Sequence, residues 1–235
     1  MASETTRLGL SLLQAAQAQK HITVNEALMR LDGVVNLVLQ SVSNTAPPAT
    51  VTDGQCWGVP AGAAGAWSGK TGTIAVGSNG GWIFVPAMLG MRGFIVDRGV
   101  EAVHDGAVWV EGVLSLGRLG SALTTGMVEA DVNVTAGGNM DTGVTIPANA
   151  MVIGATAKVL NNLTGTLSSW ALGTTGAIDR FGKGLGKSAG SYARGMLGSP
   201  MTYYASANLI MTGVGGNFSG GKVRLAVHWL ELRVP

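Results

Sequence analysis

The sequence predicts a mainly β protein: a short N-terminal helix, a small β-hairpin domain, a linker, and a C-terminal antiparallel β-sandwich of jelly-roll-like design. Three observations predict it. Short β-prone runs alternate with turn signals from Asp53 to Val110 and again from Thr142 onward. The 37 glycines are dispersed at turns and follow no G-X-Y period, so they punctuate strands rather than build collagen or low complexity. A helical stripe stands out in only one place, near the start of the chain.

That stripe begins after Gln17-Ala18-Gln19-Lys20-His21. Thr23 followed by Glu26 has the spacing of a capping box, in which the hydroxyl accepts a first-turn N–H and the carboxylate reaches back, so the helix is expected to start near Thr23. Val24, Leu28, Leu31, Val35 and Val38 then fall on one narrow face. Gly33 costs about 1 kcal/mol relative to Ala, so packing must hold the helix. The partner of the stripe is either the helix's own domain or a docking or self-association surface, and with Gly33 inside it and Pro47-Pro48 soon after, the stripe is too short to zip chains together and is expected to brace the N-terminal β domain.

Ser43 to Ala49, with Pro47-Pro48, breaks the periodicity and separates an N-terminal arm and helix (1–45) from a small β domain (46–112). Within that domain, Thr73–Val76 and Trp82–Val85 flank a Gly-rich loop and read as a hairpin. Phe94–Val96 and Glu101–His104 form a second, and Asp105-Gly106 turns the chain into Ala107–Val110. Residues 113–141 are weakly patterned and read as a linker. From 142 to 235 the pattern sharpens: Thr142–Ile146, then a hairpin of long strands, Met151–Leu160 and Thr166–Leu172 joined by a turn at Asn161 to Gly165, then Asn208–Thr212 and Val223–Leu232. The last run sets Val223, Leu225, Val227 and Trp229 against Arg224, Ala226, His228 and Leu230, and both faces are expected to be largely covered.

Composition narrows the function classes. Charged residues make up 12%, against about 25% in ordinary globular chains, so much surface must be hidden and a homo-oligomer is expected, a trimer before a five-fold assembly. The mean hydropathy of +0.33 does not imply a membrane span, because polar residues or Gly interrupt each apolar run before about 18 residues. No basic and apolar leader is visible at the start, which predicts synthesis in the cytoplasm. The net charge of +2 is thinly spread, giving no support for nucleic-acid binding. The single Cys56 offers neither a disulfide nor a metal cluster.

Chemical motifs are scarce. Gly69-Lys70-Thr71 and Gly186-Lys187-Ser188 end like P-loops, but the required earlier glycine is replaced by Ala64 and Phe181. His21, His104 and His228 lack ligand spacing, so no metal site and no cofactor is expected. No nucleophile elbow occurs. Asp141 and Asp179 are the first suspects for a glycosidase pair, with solvated turn residues as the commoner explanation. No catalytic residue is assigned. Sugar rings lie on aromatic faces, which makes Trp170, Tyr192, Tyr203 and Tyr204 candidates for a loop-borne carbohydrate site, with core packing as the plainer role.

Two segments carry a resemblance. Gln17-Ala18-Gln19-Lys20-His21-Ile22-Thr23-Val24-Asn25-Glu26-Ala27-Leu28, together with residues 53–67, resembles the N-terminal domain of an uncharacterised family carried by bacteriophages and phage-derived gene transfer agents. Ile146-Pro147-Ala148, Val152-Ile153-Gly154, Arg180-Phe181-Gly182, Tyr203-Tyr204 and Gly220 to His228 resemble the C-terminal domain often joined to it. The resemblance implies a fibre or spike on the virion surface, seated on other virion proteins at a tail or capsid vertex and attaching to a host surface polysaccharide. It implies anchoring through Gln17, Gln19, Lys20, His21, Asn25 and Glu26. It supplies no catalytic motif. A capsule depolymerase and a purely structural adaptor for another receptor-binding protein are the competing readings.

Overall fold

The computed structural model describes residues 3–13 and 20–235, which divide into two compact units at Leu116/Gly117. In the first unit, α1 (Lys20–Val34) is followed by β1 (Val38–Leu39), β2 (Cys56–Gly58) and a 3-10 turn at Gly65–Trp67. Next come β3 (Thr73–Ser78), β4 (Gly81–Pro86), β5 (Arg92–Ile95), β6 (Val100–His104), β7 (Trp109–Glu111) and β8 (Val113–Leu116). Seven strands form one sheet in the order β4-β3-β2-β1-β5-β6-β7. Both expected hairpins are present. Ser78 pairs with Gly81 across Asn79 and Gly80, whose φ of 50° and 73° suit the I′-type turn that Asn-Gly favours. β5 pairs with β6 from Arg92/Val103 to Ile95/Val100. Asp105-Gly106 makes a longer connection, with Asp105 Oδ1 accepting from the N–H groups of Ala107 and Val108.

The sheet packs side chains on both faces at its β2–β3 end, whereas Arg92, Phe94 and Glu101 of β5 and β6 are exposed. One face carries Leu39, Cys56, Ile74, Val76 and Ile95. The other carries Trp57 and Ala75, against which Trp67 of the 3-10 turn packs, with the rings of Trp57, Trp67 and Trp82 meeting at 5.3 to 6.1 Å.

The helix departs from expectation in start and orientation. It already includes Lys20, so Thr23 does not cap it. Val24, Leu31 and Val35 are 42%, 50% and 41% exposed, while Asp32 and Gly33 are buried. The reason is polar. The segment Thr5 to Leu8 crosses the end of the helix, and Asp32 accepts from Thr5 Oγ1 at 2.8 Å, Leu8 N–H at 2.6 Å and Arg7 N–H at 3.1 Å. The Arg7 guanidinium donates to the carbonyls of Asp32, Gly33 and Asn36, groups a helix C-terminus otherwise leaves unpaired. Gly33 meets the sheet so closely that a Cβ there would lie 2.6 Å from Val76 Cγ2. Val38, read as the end of the stripe, belongs to β1.

The second unit holds β9 (Ala122–Asn133), β10 (Asn139–Ile146), β11 (Ala150–Gly165), β12 (Ser169–Thr174), β13 (Ala177–Leu185), β14 (Tyr192–Tyr203), β15 (Ala207–Val214) and β16 (Phe218–Arg233). One antiparallel sheet runs β10-β15-β12-β13, and the other contains β14-β11-β16-β9. Apart from the β12–β13 hairpin, each successive strand enters the opposite sheet, which is the connectivity of a jelly roll. Side chains from both sheets fill one core, including Ile146, Leu172, Phe181, Leu209 and Met211 against Val152, Val159, Val223, Leu225 and Val227.

Two sequence expectations fail here. Residues 113–141 are not a linker: β9 pairs with β16 continuously from Ala122/Arg233 to Asn133/Lys222. Its pattern reads weakly because its outward positions mix exposed Met127 with Thr125, Glu129 and Asp131, and because Gly126 on the other face is needed for close approach, a Cβ there falling 2.2 Å from the Trp229 ring. The expected hairpin of Met151–Leu160 with Thr166–Leu172 is also absent. β11 continues through Asn161 to Gly165 beside β16, and β12 lies in the other sheet. The glycines taken as turn markers serve backbone approach: a Cβ on Gly165 would lie 2.1 Å from the Asn217 carbonyl oxygen, and one on Gly221 would lie 2.6 Å from that of Asn162.

Candidate functional site

The outward face of β14-β11-β16-β9 gathers polar chemistry at one end. The pairings run Tyr192–Lys158–Arg224–Asp131 along one rung and Arg194–Thr156–Ala226–Glu129 along the next. Cross-strand neighbours on a rung share a face, so these side chains belong to one surface. All of them except Asp131 line an open hollow of about 220 Å³. Tyr192 is 71% exposed, and the Arg194 guanidinium lies 5.7 Å from its ring centroid. Asp131 holds Arg224 at 2.6 Å and Lys222 at 3.2 Å. Those hydrogen bonds, Arg224 first, hold its carboxyl down to about 2, and Asp131 in turn raises the Arg224 pKa.

The four expected carbohydrate residues are not brought together. Trp170 is 1% exposed, with its Nε1 donating to the Gly186 carbonyl at 2.9 Å, so it is a core residue with its polar end satisfied and offers no ring face to a sugar. Tyr203 packs partly against the same core, and its hydroxyl is buried without a protein partner. Tyr192 and Tyr204 are the exposed pair, and Tyr204 follows the end of β14, whereas Tyr192 begins it. Sequence reasoning missed Lys158, Arg194 and Arg224. They are scattered over three strands, and only register unites them.

Of the anchoring residues, Gln17 and Gln19 lie outside the described residues, and Lys20 opens α1. His21 has a buried Nδ1 without a protein partner. The Asn25 amide is spent on Leu13, accepting from its N–H at 2.8 Å and donating to its carbonyl at 3.0 Å. Glu26 pairs with Arg30 at 2.7 Å along the helix. Asn25 and Glu26 also line a hollow of about 370 Å³ with Leu13, Ile22 and Met29.

The carboxylate pair does not form a hydrolytic site. Asp141 and Asp179 lie on β10 and β13, the opposite edges of their sheet, and three interstrand spacings separate them by about 14 Å at the backbone. Glycosidase carboxyls stand about 5 to 10 Å apart. Asp141 also accepts from Asn208 Nδ2 at 2.9 Å and Gly143 N–H at 2.9 Å. These bonds, Asn208 first, hold its carboxyl below the usual range, which suits a structural anion and not a proton donor.

The other singled-out groups are occupied structurally. Lys187 Nζ donates to the Leu167 carbonyl at 2.7 Å. His104 is buried beside Trp109, its Nδ1 accepts from Gly106 N–H, and burial pushes its pKa down. Burial likewise pushes the Cys56 thiol up to about 11, with Arg7 opposing and Asp32 reinforcing. Among the described residues, no group of three His, Cys, Asp or Glu side chains is placed to hold a metal ion, and no helix is long and apolar enough to cross a membrane.

Residues 24–110 match a protein family described as "Protein of unknown function (DUF2793)". No curated protein matches the chain. Among solved structures, the chain is similar to one titled "Cyanophage Pam1 capsid asymmetric unit", at 20% identity over 47% of this chain and 84% of that one, with a TM-score of 0.32. A score that low establishes no common fold.

Proposed function

We propose that this is a non-enzymatic virion surface protein of a phage or phage-like particle, assembled in the bacterial cytoplasm. The N-terminal unit seats it on another virion protein, and the jelly-roll unit attaches to a host surface polysaccharide. The observation that carries the reading is the topology of residues 122–233, since jelly rolls recur in viral capsid and lectin domains. Fold alone leaves function open. The resemblance of both halves to phage-borne domains supports the assignment independently. The low charge fits repeated burial of surface in a symmetric homo-oligomer.

The anchoring surface follows from α1. Asn25 is occupied within the unit, whereas Val24 and Leu31 on the helix and Val35 just past its end form an exposed apolar stripe. That stripe takes the docking role first given to the polar lead-in. The test is Leu31→Glu with Val35→Glu, followed by electron microscopy and immunoblotting of purified particles. A folded variant missing from particles supports the reading, and normal incorporation overturns it. Purified capsular polysaccharide in a reducing-end assay separates attachment from depolymerisation: binding without chain shortening fits attachment, and shortening overturns the non-enzymatic assignment.

A further inference from the structure

We infer that the polysaccharide recognised is acidic, and that it docks across the Tyr192, Lys158 and Arg194 end of the outer β14-β11-β16-β9 face. The inference rests on the attachment reading above. Charge gives the first reason. Lys158, Arg194, Lys222 and Arg224 meet only Glu129 and Asp131 on these and the adjoining rung, four cations against two carboxylates. Asp131 is already committed to Arg224 and Lys222, which leaves Lys158 and Arg194 facing solvent beside the hollow. In a chain whose net charge is only +2, that excess is concentrated in one place.

The ring gives the second reason. Tyr192 stands in the same hollow, exposed, with Arg194 against its face, so an apolar sugar face and an anionic substituent would both find partners within one rung spacing. Size gives the third. About 220 Å³ is below the roughly 300–1,000 Å³ of pockets that enclose drug-sized ligands, and the hollow is open, as needed to hold one residue of a polymer passing over the sheet.

The experiment uses the whole chain on an array of bacterial polysaccharides that includes uronate-, sialate- and phosphate-bearing polymers and neutral ones, with double-stranded DNA as a control polyanion. Retention on acidic polymers is expected to fall at least about tenfold for Lys158→Glu with Arg194→Glu and in high salt. Tyr192→Ala is expected to weaken sugar binding and leave DNA retention unchanged, with circular dichroism confirming that each variant is folded. Equal retention of neutral polymers overturns the acidic assignment while leaving attachment standing. Acidic binding that is indifferent to the charge reversals, or sugar retention that Tyr192→Ala leaves unchanged, overturns the site. Binding to no polymer overturns the attachment reading itself.

Discussion

Thr5 donates its hydroxyl to the Asp32 carboxylate across 2.8 Å, although 27 positions separate them and both are buried. The bond places the N-terminal segment over the end of α1. Asp32 satisfies the Leu8 and Arg7 N–H groups as well, so one side chain organises a whole crossing. Asp32→Ala is therefore expected to cost about 2 to 4 kcal/mol, because the donors it leaves are buried or part-buried. Urea unfolding checks this, and a loss under 1 kcal/mol would mean water replaces the carboxylate. The same contact means that truncating residues 1–22 removes structural ties and does not isolate an anchor.

Gly33→Ala improves helix propensity yet is expected to destabilise by about 1 to 3 kcal/mol, since the new methyl group enters the Val76 side chain. Pairing it with Val76→Ala should recover part of the loss. A double variant no better than the sum of the single ones would place the clash elsewhere.

Cys56 is fully buried with its thiol pushed up to about 11, so a disulfide-exchange reagent at pH 8 should leave it unmodified in the native protein. Modification should appear at the denaturant midpoint of the first unit. Rapid labelling without denaturant would show that the strand pair around it opens.

Asp131 contributes acid-sensitive stability. Its folded pKa of about 2 lies below the ordinary 3.8, so its contribution is present above 3.8 and is lost as pH falls toward 2. Asp131→Asn should flatten the stability profile over that interval and leave Arg224 and Lys222 free. An unchanged profile would assign the acid sensitivity to other carboxylates.

Trp170→Ala is expected to cost about 3 to 5 kcal/mol through the cavity it opens, whereas Tyr204→Ala, at a residue 84% exposed, should change stability by under about 0.5 kcal/mol. Thermal melts distinguish the two. A mild effect at Trp170 would contradict its place in the core.

What was legible in the sequence was local. Asn79-Gly80 dictated its hairpin, the alternation of Val223 to Trp229 dictated a strand with a buried side, and each rests on interactions within a few residues. The candidate site was half legible. Tyr192 announced itself as an aromatic in a Gly-rich region, but Lys158, Arg194 and Arg224 carry no mutual spacing, because sheet neighbours are set by register across 30 to 70 positions of chain.

The sequence by itself determined a β-rich chain with one helix, the Asn79-Gly80 turn, and the absence of P-loop spacing, since each depends on residue type and short-range geometry. Tertiary structure decided the rest. The helix stripe pointed outward because a buried Asp32 and a close Gly33 outweighed apolar periodicity, and strong polar ties at one end fix a helix's rotation. The weakly patterned 122–133 stretch became a partner of β16 along its whole length, and the glycines near 165 and 221 became contact points instead of turns. Backbone proximity of that kind is a property of two distant segments at once, and no single stretch of sequence states it.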